Sequence, residues 1–234
     1  MTQTMLSISI ILPVLNEVLG LAAALEALAP LRTGGAEVIV VDGGSSHRSA
    51  EIAAPYADWV LSAPRGRASQ MNAGAAVAHG RVLLFLHADT RLPESADRLI
   101  IQAVASGRHW GRFDVCIEGN SAWLPVVAKT MNWRSRLTGI ATGDQAIFVS
   151  REAFHAARGF PDIPLMEDIA LSRRLLNIGR PACLVAAVAT SGRRWETHGV
   201  LRTILLMWWL RLRYFFGSDL RRLALAYGYV PRKS

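Results

Sequence analysis

The segment Glu37-Val-Ile-Val-Val-Asp-Gly-Gly-Ser45 joins a short, β-branched apolar run to an acidic residue, two glycines and a serine. A nearly continuous apolar run of this length is typical of a parallel strand that helices cover on both faces. The polar and glycine residues that follow are those expected in the turn between a strand and the next helix. The segment therefore predicts one strand-to-helix unit of an open α/β sheet.

The same alternation continues on both sides of this unit. Residues 7–12 form another apolar run, and Leu21, Leu25 and Leu28 recur at helical spacing between the two runs. Further along the chain, the pattern predicts helices at 46–54, 67–78 and 93–105 and strands at 59–61 and 82–86. Such a series implies an open, twisted, mostly parallel sheet with helices on both faces and right-handed crossovers.

After Gly107 the alternation becomes less regular. The pattern predicts strands at 111–117, 146–149 and 183–188, with helices at 121–137 and 166–177. No repeat or linker interrupts the chain. We therefore expect one domain over residues 1–195, with residues 196–234 as a basic, aromatic and helical extension of the same domain.

Composition and charge narrow the classes of protein. With 234 residues, 51% hydrophobic and 19% charged, the chain has enough apolar residues for a folded core, which argues against disorder. The net charge is +8, and nine Lys or Arg against two acidic residues give +7 between Arg193 and Ser234. This basic end indicates an anionic partner, for which lipid headgroups, a phosphorylated substrate and nucleic acid are all acceptable.

Cysteine usage and the first residues suggest a location. Cys116 and Cys183 are far apart and outside any metal-ligand spacing, so neither a disulfide framework nor a thiolate metal site is indicated. The apolar residues near the N-terminus contain Pro13 and run into Asn16 and Glu17, unlike a secretory signal. We therefore expect a cytoplasmic protein. Association with the inner face of the cell membrane is compatible with this location.

Polar residues follow three of the predicted strands. They are Pro13, Asn16 and Glu17 after the first, Asp42 to Ser45 after the second, and His87 and Asp89 after the strand at 82–86. Because ligands of open α/β sheets bind beyond the carboxyl ends of the strands, we expect these residues at one site. The alternative is structural: Ser45 as an ordinary helix cap, and Asp89 capping a helix beside a hydrogen-bonded His87.

Two groups of carboxylates have the chemistry of a catalytic site. Asp89, directly after a strand, is placed to bind a divalent cation that neutralises a diphosphate. Glu167 and Asp168 begin a predicted helix, where the helix dipole favours ionised carboxylates, as a general base requires. Helix capping is the alternative for this pair. Asp144 is a second candidate for the base or for acceptor binding.

The motifs in their order resemble family 2 glycosyltransferases of the GT-A fold, over residues 6 to about 195. The segments that carry the resemblance are Pro13-Val-Leu-Asn-Glu17, Asp42-Gly-Gly-Ser45, Gly66-Arg67, Met71-Asn72-Ala-Gly74, His87-Ala-Asp89 and Glu167-Asp168. More narrowly, four segments resemble a bacterial subgroup associated with arsenosugar biosynthesis. They are Gly111-Arg-Phe-Asp-Val115, Thr138-Gly-Ile-Ala-Thr-Gly-Asp-Gln145, Pro164-Leu-Met-Glu-Asp168 and Ser191-Gly-Arg-Arg-Trp195.

The resemblance implies a hexosyltransferase that moves a sugar from a nucleotide donor, with UDP favoured, to the hydroxyl of a small or lipid-linked acceptor. It implies inversion by direct displacement, with Asp168 as base and Mn²⁺ or Mg²⁺ bound through Asp89. The implied donor-binding residues are Pro13, Asn16, Glu17, Asp42, Ser45, Arg67, Asn72, His87 and Asp89. Those implied near the acceptor or diphosphate are Asp144, Gln145, Glu167, Arg194 and Trp195. Many relatives carry Asp at the position of His87, whose neutral imidazole weakens attraction for a hard cation.

Two other functions compete with this interpretation. A sugar-phosphate nucleotidyltransferase needs a Gly-rich basic loop after the first strand, where this chain has 13–17 instead. A nucleic-acid-binding protein fits the basic end but leaves the acidic strand ends unexplained, so no nucleic-acid partner is expected.

The C-terminal extension contains an apolar run at 204–210 that includes Trp208 and Trp209. This run is far shorter than the ~20 residues that span a bilayer. Arg211 and Arg213 follow it. Three roles remain: a helix resting on anionic lipid, a homodimer contact, or a helix packed on its own core.

Overall fold

The computed structural model describes residues 7–18 and 20–230. Its central feature is one sheet, whose strands are ordered β3-β2-β1-β4-β7-β6-β8-β5. The strands are β1 (Ile8–Val14), β2 (Glu37–Asp42), β3 (Trp59–Ser62), β4 (Val82–Phe85), β5 (Thr90–Arg91), β6 (Trp110–Glu118), β7 (Ile147–Ser150) and β8 (Ala182–Ser191).

Most strands of this sheet run in one direction. The pairs β1–β2, β1–β4, β2–β3 and β6–β8 are parallel. Strand β7 is antiparallel to both β4 and β6, and β5 is antiparallel to β8. Strands β1, β2, β3, β4, β6 and β8 therefore point the same way, and their carboxyl ends lie along one edge. The expectation of a mixed but mostly parallel sheet is confirmed.

Helices cover both faces of the sheet. They are α1 (Leu21–Glu26), α2 (Ala29–Thr33), α3 (Ser49–Ala53), α4 (Arg67–Val77), α5 (Ala96–Ala105), α6 (Leu124–Thr138), α7 (Arg151–Ala156), α8 (Glu167–Leu176), α9 (Arg193–His198), α10 (Val200–Phe215) and α11 (Leu220–Tyr227). A 3-10 turn spans Gly143–Gln145. Ile10 and Leu12 of β1 pack in the core that includes α1, α3, α5 and α6, whereas Ile11 packs in the core that includes α4, α7 and α8. Because successive side chains of a strand point to opposite faces of the sheet, β1 contributes residues to both hydrophobic cores.

Helix α4 lies unusually close to the sheet, and Gly74 is the reason. A Cβ at this position would lie 2.5 Å from Cγ2 of Ile11 and 3.1 Å from Cγ2 of Val41. Only a residue without a side chain allows this approach. The first turn of α4, with Arg67, is thereby held beside the carboxyl ends of β1 and β2.

A buried ion-pair cluster fixes α6 against β6. Arg112 is fully buried and pairs with Asp114, which also accepts from Arg136 of α6. Arg112 donates from Nε to Ser135 Oγ at 3.1 Å and from Nη2 to the carbonyl of Asn132 at 3.2 Å. Because Arg112 and Asp114 lie on β6 and Arg136, Ser135 and Asn132 lie on α6, the cluster determines how α6 packs against β6.

The C-terminal helices pack onto the rest of the chain. Leu210 of α10 and Leu223 of α11 share a buried cluster with Leu165, Met166 and Ile169 around the start of α8. The expected boundary between residues 195 and 196 falls inside α9. In the described ranges, no helix is both long and apolar enough to cross a membrane.

Candidate active site

A cleft of about 340 Å³ opens at the edge where the carboxyl ends of the parallel strands meet. Its walls come from the ends of β1, β4, β6 and β8, the first turn of α4, and the C-terminal helices. The sequence-predicted residues that line it are Pro13, Glu17, Arg67, His87, Asp89, Asp144, Arg194 and Trp195. The topology therefore brings residues far apart in sequence into one cavity.

Asn16, Asp42 and Ser45 lie beside the cleft and connect the loops after β1 and β2. The carboxylate of Asp42 accepts from the backbone N–H groups of Gly44 at 3.1 Å and Ser45 at 3.0 Å, and from the Ser45 hydroxyl. Ser45 Oγ in turn accepts from the backbone N–H of Asn16 at 2.9 Å. These contacts order the rim, and they occupy much of the hydrogen-bonding capacity of Asp42.

The side chains of Asn72 and Gln145 form hydrogen bonds with backbone groups and do not line the cleft. The Asn72 amide donates to the carbonyl of Phe160 at 2.8 Å and accepts from its N–H at 3.0 Å. Gln145 is buried, and its Oε1 accepts from the N–H of Thr142 at 3.2 Å. Both residues of the predicted site therefore stabilise loops.

Gln70 is a cleft residue that the sequence did not single out. Its buried side-chain amide donates to the carbonyls of Val14 and Val41, both at 2.8 Å. One side chain thereby ties the ends of β1 and β2 together. An amide side chain early in the predicted helix at 67–78 is the only sequence signal of this role.

Asp89 is exposed to the cleft at the centre of the sheet. The next residue, Thr90, pairs with Thr190 of β8, and their hydroxyls lie 3.1 Å apart. This pairing carries the chain from the central strand β4 to the far edge of the sheet. Asp89 is therefore held in place by β4 on one side and by the pairing of β5 with β8 on the other.

His87 and Asp144 form a pair on the floor of the cleft. Nδ1 of His87 lies 3.5 Å from Oδ1 of Asp144. Burial acts to raise the pKa of Asp144, but the hydrogen bond and charge of His87, together with Arg67 and Arg211, hold that pKa below its usual value. Asp144 is therefore a carboxylate kept ionised by its neighbours.

Asp168 lies at the start of α8, where backbone N–H groups hold it. Its Oδ2 accepts from Gly143 at 2.9 Å and its Oδ1 from Ile169 at 2.7 Å. Glu167 beside it is buried, and burial followed by the charge of Asp168 raises the pKa of Glu167. The two neighbouring carboxylates thus differ: Asp168 is oriented and partly accessible, whereas Glu167 is enclosed.

Arg67 provides positive charge opposite these carboxylates. Burial among cleft groups opposes its ionisation, but Glu167, Tyr227, Asp144 and Asp168 together raise the pKa of Arg67 above its ordinary value. The guanidinium is therefore a permanent cation, and its side chain remains accessible to solvent within the cleft.

The C-terminal wall of the cleft joins the predicted residues Arg194 and Trp195 to Tyr227 and Tyr229, which the sequence did not single out. Arg194 donates from Nη2 to the carbonyl of Tyr227 at 2.7 Å, and its Cζ lies 3.6 Å from the centre of the Tyr227 ring. Arg65 lies over the ring of Tyr229 with a separation of 5.5 Å. For the two tyrosines, the only sequence signal was the mixture of arginine and aromatic residues near the C-terminus.

The donor atoms around Asp89 fit a divalent cation that is shared with a ligand. Among residues 7–18 and 20–230, no group of three or more His, Cys, Asp or Glu side chains is arranged to enclose a metal. Mg²⁺ in proteins is usually held through one or two carboxylates together with substrate phosphates and water. Asp89, exposed to the cleft and close to the His87–Asp144 pair, provides that smaller set of donors.

Curated relatives are similar over part of the chain. A PGL/p-HBAD biosynthesis glycosyltransferase of Mycobacterium bovis is 37% identical over 108 residues, which are 43% of this chain and 42% of the relative. The same values hold for the glycosyltransferase of that name in Mycobacterium tuberculosis. The chain thus matches less than half of the length of these relatives.

Solved structures show the same fold. S. aureus TarS 1-349 in complex with UDP-GlcNAc has a TM-score of 0.65 at 16% identity, covering 79% of this chain and 58% of that one. Glucosyl-3-phosphoglycerate synthase from Mycobacterium tuberculosis, in complex with Mn²⁺, UDP and glucosyl-3-phosphoglycerate, has a TM-score of 0.58 at 20% identity, covering 79% and 71%. The sheet with its two helical layers is therefore a GT-A fold.

A family model supplies the remaining assignment. The model of glycosyl transferase family 2 matches residues 9–156, which run from the start of β1 to the end of α7 and make up more than half of the chain. This range includes Glu17 and Asp89, which follow β1 and β4, and Asp144 in the 3-10 turn before β7. The chain belongs to glycosyl transferase family 2.

Proposed function

We propose that this protein is an inverting hexosyltransferase that transfers a sugar from a nucleoside diphosphate donor, with UDP favoured, to an acceptor hydroxyl. The observation that carries the proposal is the charge arrangement of one cleft. Asp89, Asp144 and Asp168 lie at or beside the cleft, opposite Arg67 and Arg194. Such a cavity offers carboxylates for a cation and a proton, and guanidinium groups for a diphosphate.

The reaction is a single displacement. The acceptor oxygen forms a bond to the anomeric carbon while the bond from that carbon to the donor diphosphate breaks, and the nucleoside diphosphate leaves. Asp168 takes the proton of the acceptor hydroxyl. Because its two oxygens are held by backbone N–H groups of Gly143 and Ile169, the carboxylate is oriented before substrate binds. Attack opposite the departing group inverts the anomeric centre.

Asp89 would hold Mn²⁺ or Mg²⁺ together with the diphosphate. The cation would supply charge neutralisation of the leaving group. Arg67 and Arg194 add positive charge from the α4 and α9 sides of the same cleft, while Pro13 and Glu17 line the end where we place the nucleoside. His87 would offer that cation an imidazole nitrogen, which a hard cation prefers less than a second carboxylate.

Two kinds of support exist for the donor and the pathway. The solved structures of similar fold were obtained with UDP-GlcNAc in one case and with UDP and Mn²⁺ in another. The segments around Asp114, Asp144, Asp168 and Arg194 support the narrower proposal of the subgroup associated with arsenosugar biosynthesis. The curated relatives carry a different label, that of PGL/p-HBAD biosynthesis, so the pathway stays a prediction.

Thermal unfolding against UDP and GDP, each with and without Mn²⁺, tests the donor proposal. A ligand at 100 times its Kd adds about 2.7 kcal/mol, or roughly 5 to 10 °C in Tm for a chain of this size. We expect UDP to raise Tm and Mn²⁺ to enlarge the rise. Asp89→Ala should lose the Mn²⁺ effect, whereas the exposed Glu94→Gln should keep it. If neither nucleotide raises Tm but a single-stranded oligonucleotide does, the transferase proposal is wrong.

Helix α10 supports a second proposal, contact with an anionic lipid surface. Leu201, Leu205, Trp208, Leu212 and Phe215 recur on one helical face, and Trp208 is 72% exposed and Phe215 68% exposed. The opposite face is buried through Thr203 and Leu210. We call the five exposed residues the α10 stripe.

The positive charge around the α10 stripe favours an anionic lipid surface as the partner that covers it. Arg202 and Arg213 border it and are exposed, and the net charge of the C-terminal region is strongly positive. An apolar stripe flanked by arginines on a helix too short to span is typical of an interfacial helix on anionic lipid. A second copy of this chain would instead have to bring these like charges together.

Vesicle flotation at physiological salt tests this contact. We expect the protein to float with vesicles that contain anionic lipid and to remain at the bottom with neutral ones. The double variant Leu205→Ser/Trp208→Ser should stay at the bottom, and Val185→Ser, an equally exposed apolar residue on β8, should float. If the unmodified protein does not float and its mass in solution doubles at higher protein concentration, the lipid proposal is wrong. The α10 stripe would then be a contact between two copies of this chain.

A further inference from the structure

A row of apolar side chains on α6 is exposed to solvent. Its members lie on one face of the helix, because they are spaced by three, seven and four residues, and each is between 51% and 66% exposed. They are Trp123, Val126, Trp133 and Leu137, which we call the α6 stripe. The opposite face of α6 is buried through Ala128 and Ser135. Apolar residues that are scattered singly are normal on a surface, whereas a contiguous row indicates a contact site.

Helix α10, which carries the α10 stripe, runs beside α6. Near the start of α6, the backbone N–H of Asn120 donates to Oε1 of Glu196 at 2.5 Å, and Glu196 belongs to α9, which leads directly into α10. At the other end, Ile140 follows α6 and packs in the same small cluster as Leu210 of α10. The two helices therefore lie next to one another and point in the same direction. The α6 stripe and the α10 stripe are on neighbouring helices.

Both helices carry positive charge, and neither contains Asp or Glu. Their basic residues are Lys129, Arg134 and Arg136 on α6, and Arg202, Arg211 and Arg213 on α10. Arg180 adds charge at the end of α6, since its exposed guanidinium donates from Nη2 to the carbonyl of Leu137 at 3.2 Å. This charge is complementary to an anionic lipid surface. Two copies of this chain that met through the same helices would bring positive charges together.

The length and the tryptophan residues of the two helices also fit the plane of a lipid surface. Helix α6 has 15 residues and α10 has 16. They are therefore about 22 and 24 Å long, shorter than the ~30 Å hydrocarbon core of a bilayer. Tryptophan is enriched at the boundary between lipid and water, because its ring is apolar and its N–H is polar. Trp123 and Trp133 of the α6 stripe and Trp208 of the α10 stripe meet this preference.

We propose that α6 and α10 together form a two-helix docking face for an anionic lipid bilayer, with the α6 stripe in contact with lipid beside the α10 stripe. The inference rests on the proposed lipid contact of α10 and adds a second helix to it. It also gives the protein an orientation on the bilayer. Because Met207 of α10 lines the cleft, this orientation brings the cleft next to the lipid surface.

Quenching of tryptophan fluorescence by brominated lipid tests the contact of α6. The vesicles contain phosphatidylglycerol and phosphatidylcholine brominated in its acyl chains, and the reference vesicles contain the same lipids without bromine. The variant Trp208→Phe/Trp209→Phe removes the indoles of α10 and keeps aromatic rings there. We expect its fluorescence still to be quenched, through Trp123 and Trp133. Replacing these two residues by Phe as well should abolish the quenching. The indoles that remain, and that should not be quenched, are Trp59, Trp110 and Trp195.

Binding to vesicles gives a second readout. In Val126→Ser/Trp133→Ser, we expect the partition onto phosphatidylglycerol vesicles, measured by flotation over a range of lipid concentrations, to fall at least about tenfold, because two apolar side chains no longer enter the lipid. Trp59→Ser is the matched control, since Trp59 is exposed on β3 at the other edge of the sheet, and it should keep the full partition. Without lipid, Tm of the α6 variant and its rise with UDP and Mn²⁺ should be unchanged, which shows that the variant folds.

Two results would overturn the contact of α6. One is a Trp208→Phe/Trp209→Phe variant that floats with vesicles but is not quenched by brominated lipid. The other is a Val126→Ser/Trp133→Ser variant that binds vesicles as well as Trp59→Ser does. In either case α10 alone contacts the bilayer. If the unmodified protein does not float at all, the proposed contact of α10 is wrong as well, whereas the rise in Tm with UDP tests the transferase proposal independently of lipid.

Discussion

The backbone N–H of Gly143 donates to Oδ2 of Asp168 at 2.9 Å. Gly143 also lies against the imidazole of His87, since a Cβ at this glycine would be 2.5 Å from Cε1 and from Nε2 of the ring. One residue of the 3-10 turn thus contacts both the candidate base at α8 and the histidine that follows β4. Through this residue, the proposed donor side of the cleft contacts the proposed acceptor side.

Asp168→Asn is expected to lower the rate of sugar transfer by about 100- to 10,000-fold, because an amide accepts no proton from the acceptor. Donor binding should persist, so the rise in Tm caused by UDP and Mn²⁺ should be retained. Steady-state kinetics together with thermal unfolding measures both properties. Asp144→Asn is the comparison: a larger loss of turnover there than in Asp168→Asn would transfer the role of base to Asp144.

Gly143→Ala tests the connection between the two sides of the cleft. The added methyl group must displace the His87 ring or the turn itself, and either movement disturbs the hydrogen bond to Asp168. A small misplacement of catalytic groups costs up to about 100-fold, so we expect kcat/KM to fall by roughly 10- to 100-fold with Tm little changed.

Gly179→Ala is the control for that substitution. The nearest atom to a Cβ at Gly179, outside its chain neighbours, is Cδ2 of His109 at 3.9 Å, an ordinary contact distance. Its kcat/KM should equal that of the unmodified protein. An unchanged kcat/KM in Gly143→Ala would show that the turn accommodates the methyl group and that the contact with His87 has no catalytic consequence.

The parallel half of the sheet was predictable from sequence because apolar strands and helical spacing are local signals. The predicted strands at 82–86 and 183–188 correspond to β4 and β8 within a few residues. Strand β5 was not foreseen, since two residues have no periodicity and pair with β8 about 100 residues later. Helix α7 was also missed; its start is capped by Ser150, whose Oγ accepts from the N–H of Ala153 at 3.2 Å.

The residues alone predicted the part of the site that follows strands, whereas Arg67, Arg194 and Trp195 were predicted through the family resemblance. Glu17 and Asp89 lie at the cleft because strand direction alone places them there.

Tyr227 reaches the same cleft through packing of α11 on α8, and Arg112 contacts α6 through Ser135, 23 residues away in the chain. Such long-range contacts leave no pattern in a single sequence. Asn72 belongs to the family motif, yet its side-chain amide donates to the backbone carbonyl of Phe160 and does not line the cleft.

Asp114→Ala is expected to destabilise the protein by about 3–5 kcal/mol, because it leaves the fully buried Arg112 without its counter-charge. At this chain length, that corresponds to a fall in Tm of about 10 °C or more, measured by calorimetry. Glu118→Gln is the matched variant, since its pair with Arg91 is solvent-exposed and such pairs contribute about 0–1 kcal/mol. Equal losses in the two variants would show that the Arg112 cluster does not stabilise α6.

Glu37 should make stability depend on pH. Burial acts to raise its pKa, but the backbone N–H of His79 at 2.8 Å, the Ser9 hydroxyl at 2.5 Å and the His79 ring outweigh burial, so the pKa is lowered from 4.5. A carboxylate with a lowered pKa in the folded state stabilises that state above the unfolded pKa, and the contribution is lost as pH falls through the folded value.

Urea unfolding midpoints at pH 7, 5 and 3 test this linkage in the unmodified protein and in Glu37→Gln. The variant should be less stable at pH 7, and the difference should shrink below about pH 4.5, because the unmodified protein then also carries a neutral group at this position. Glu26→Gln, an exposed carboxyl at the end of α1, should show no such convergence. A difference for Glu37→Gln that stays constant from pH 7 to pH 3 would mean that the contacts with Ser9 and His79 stabilise the neutral and ionised forms equally.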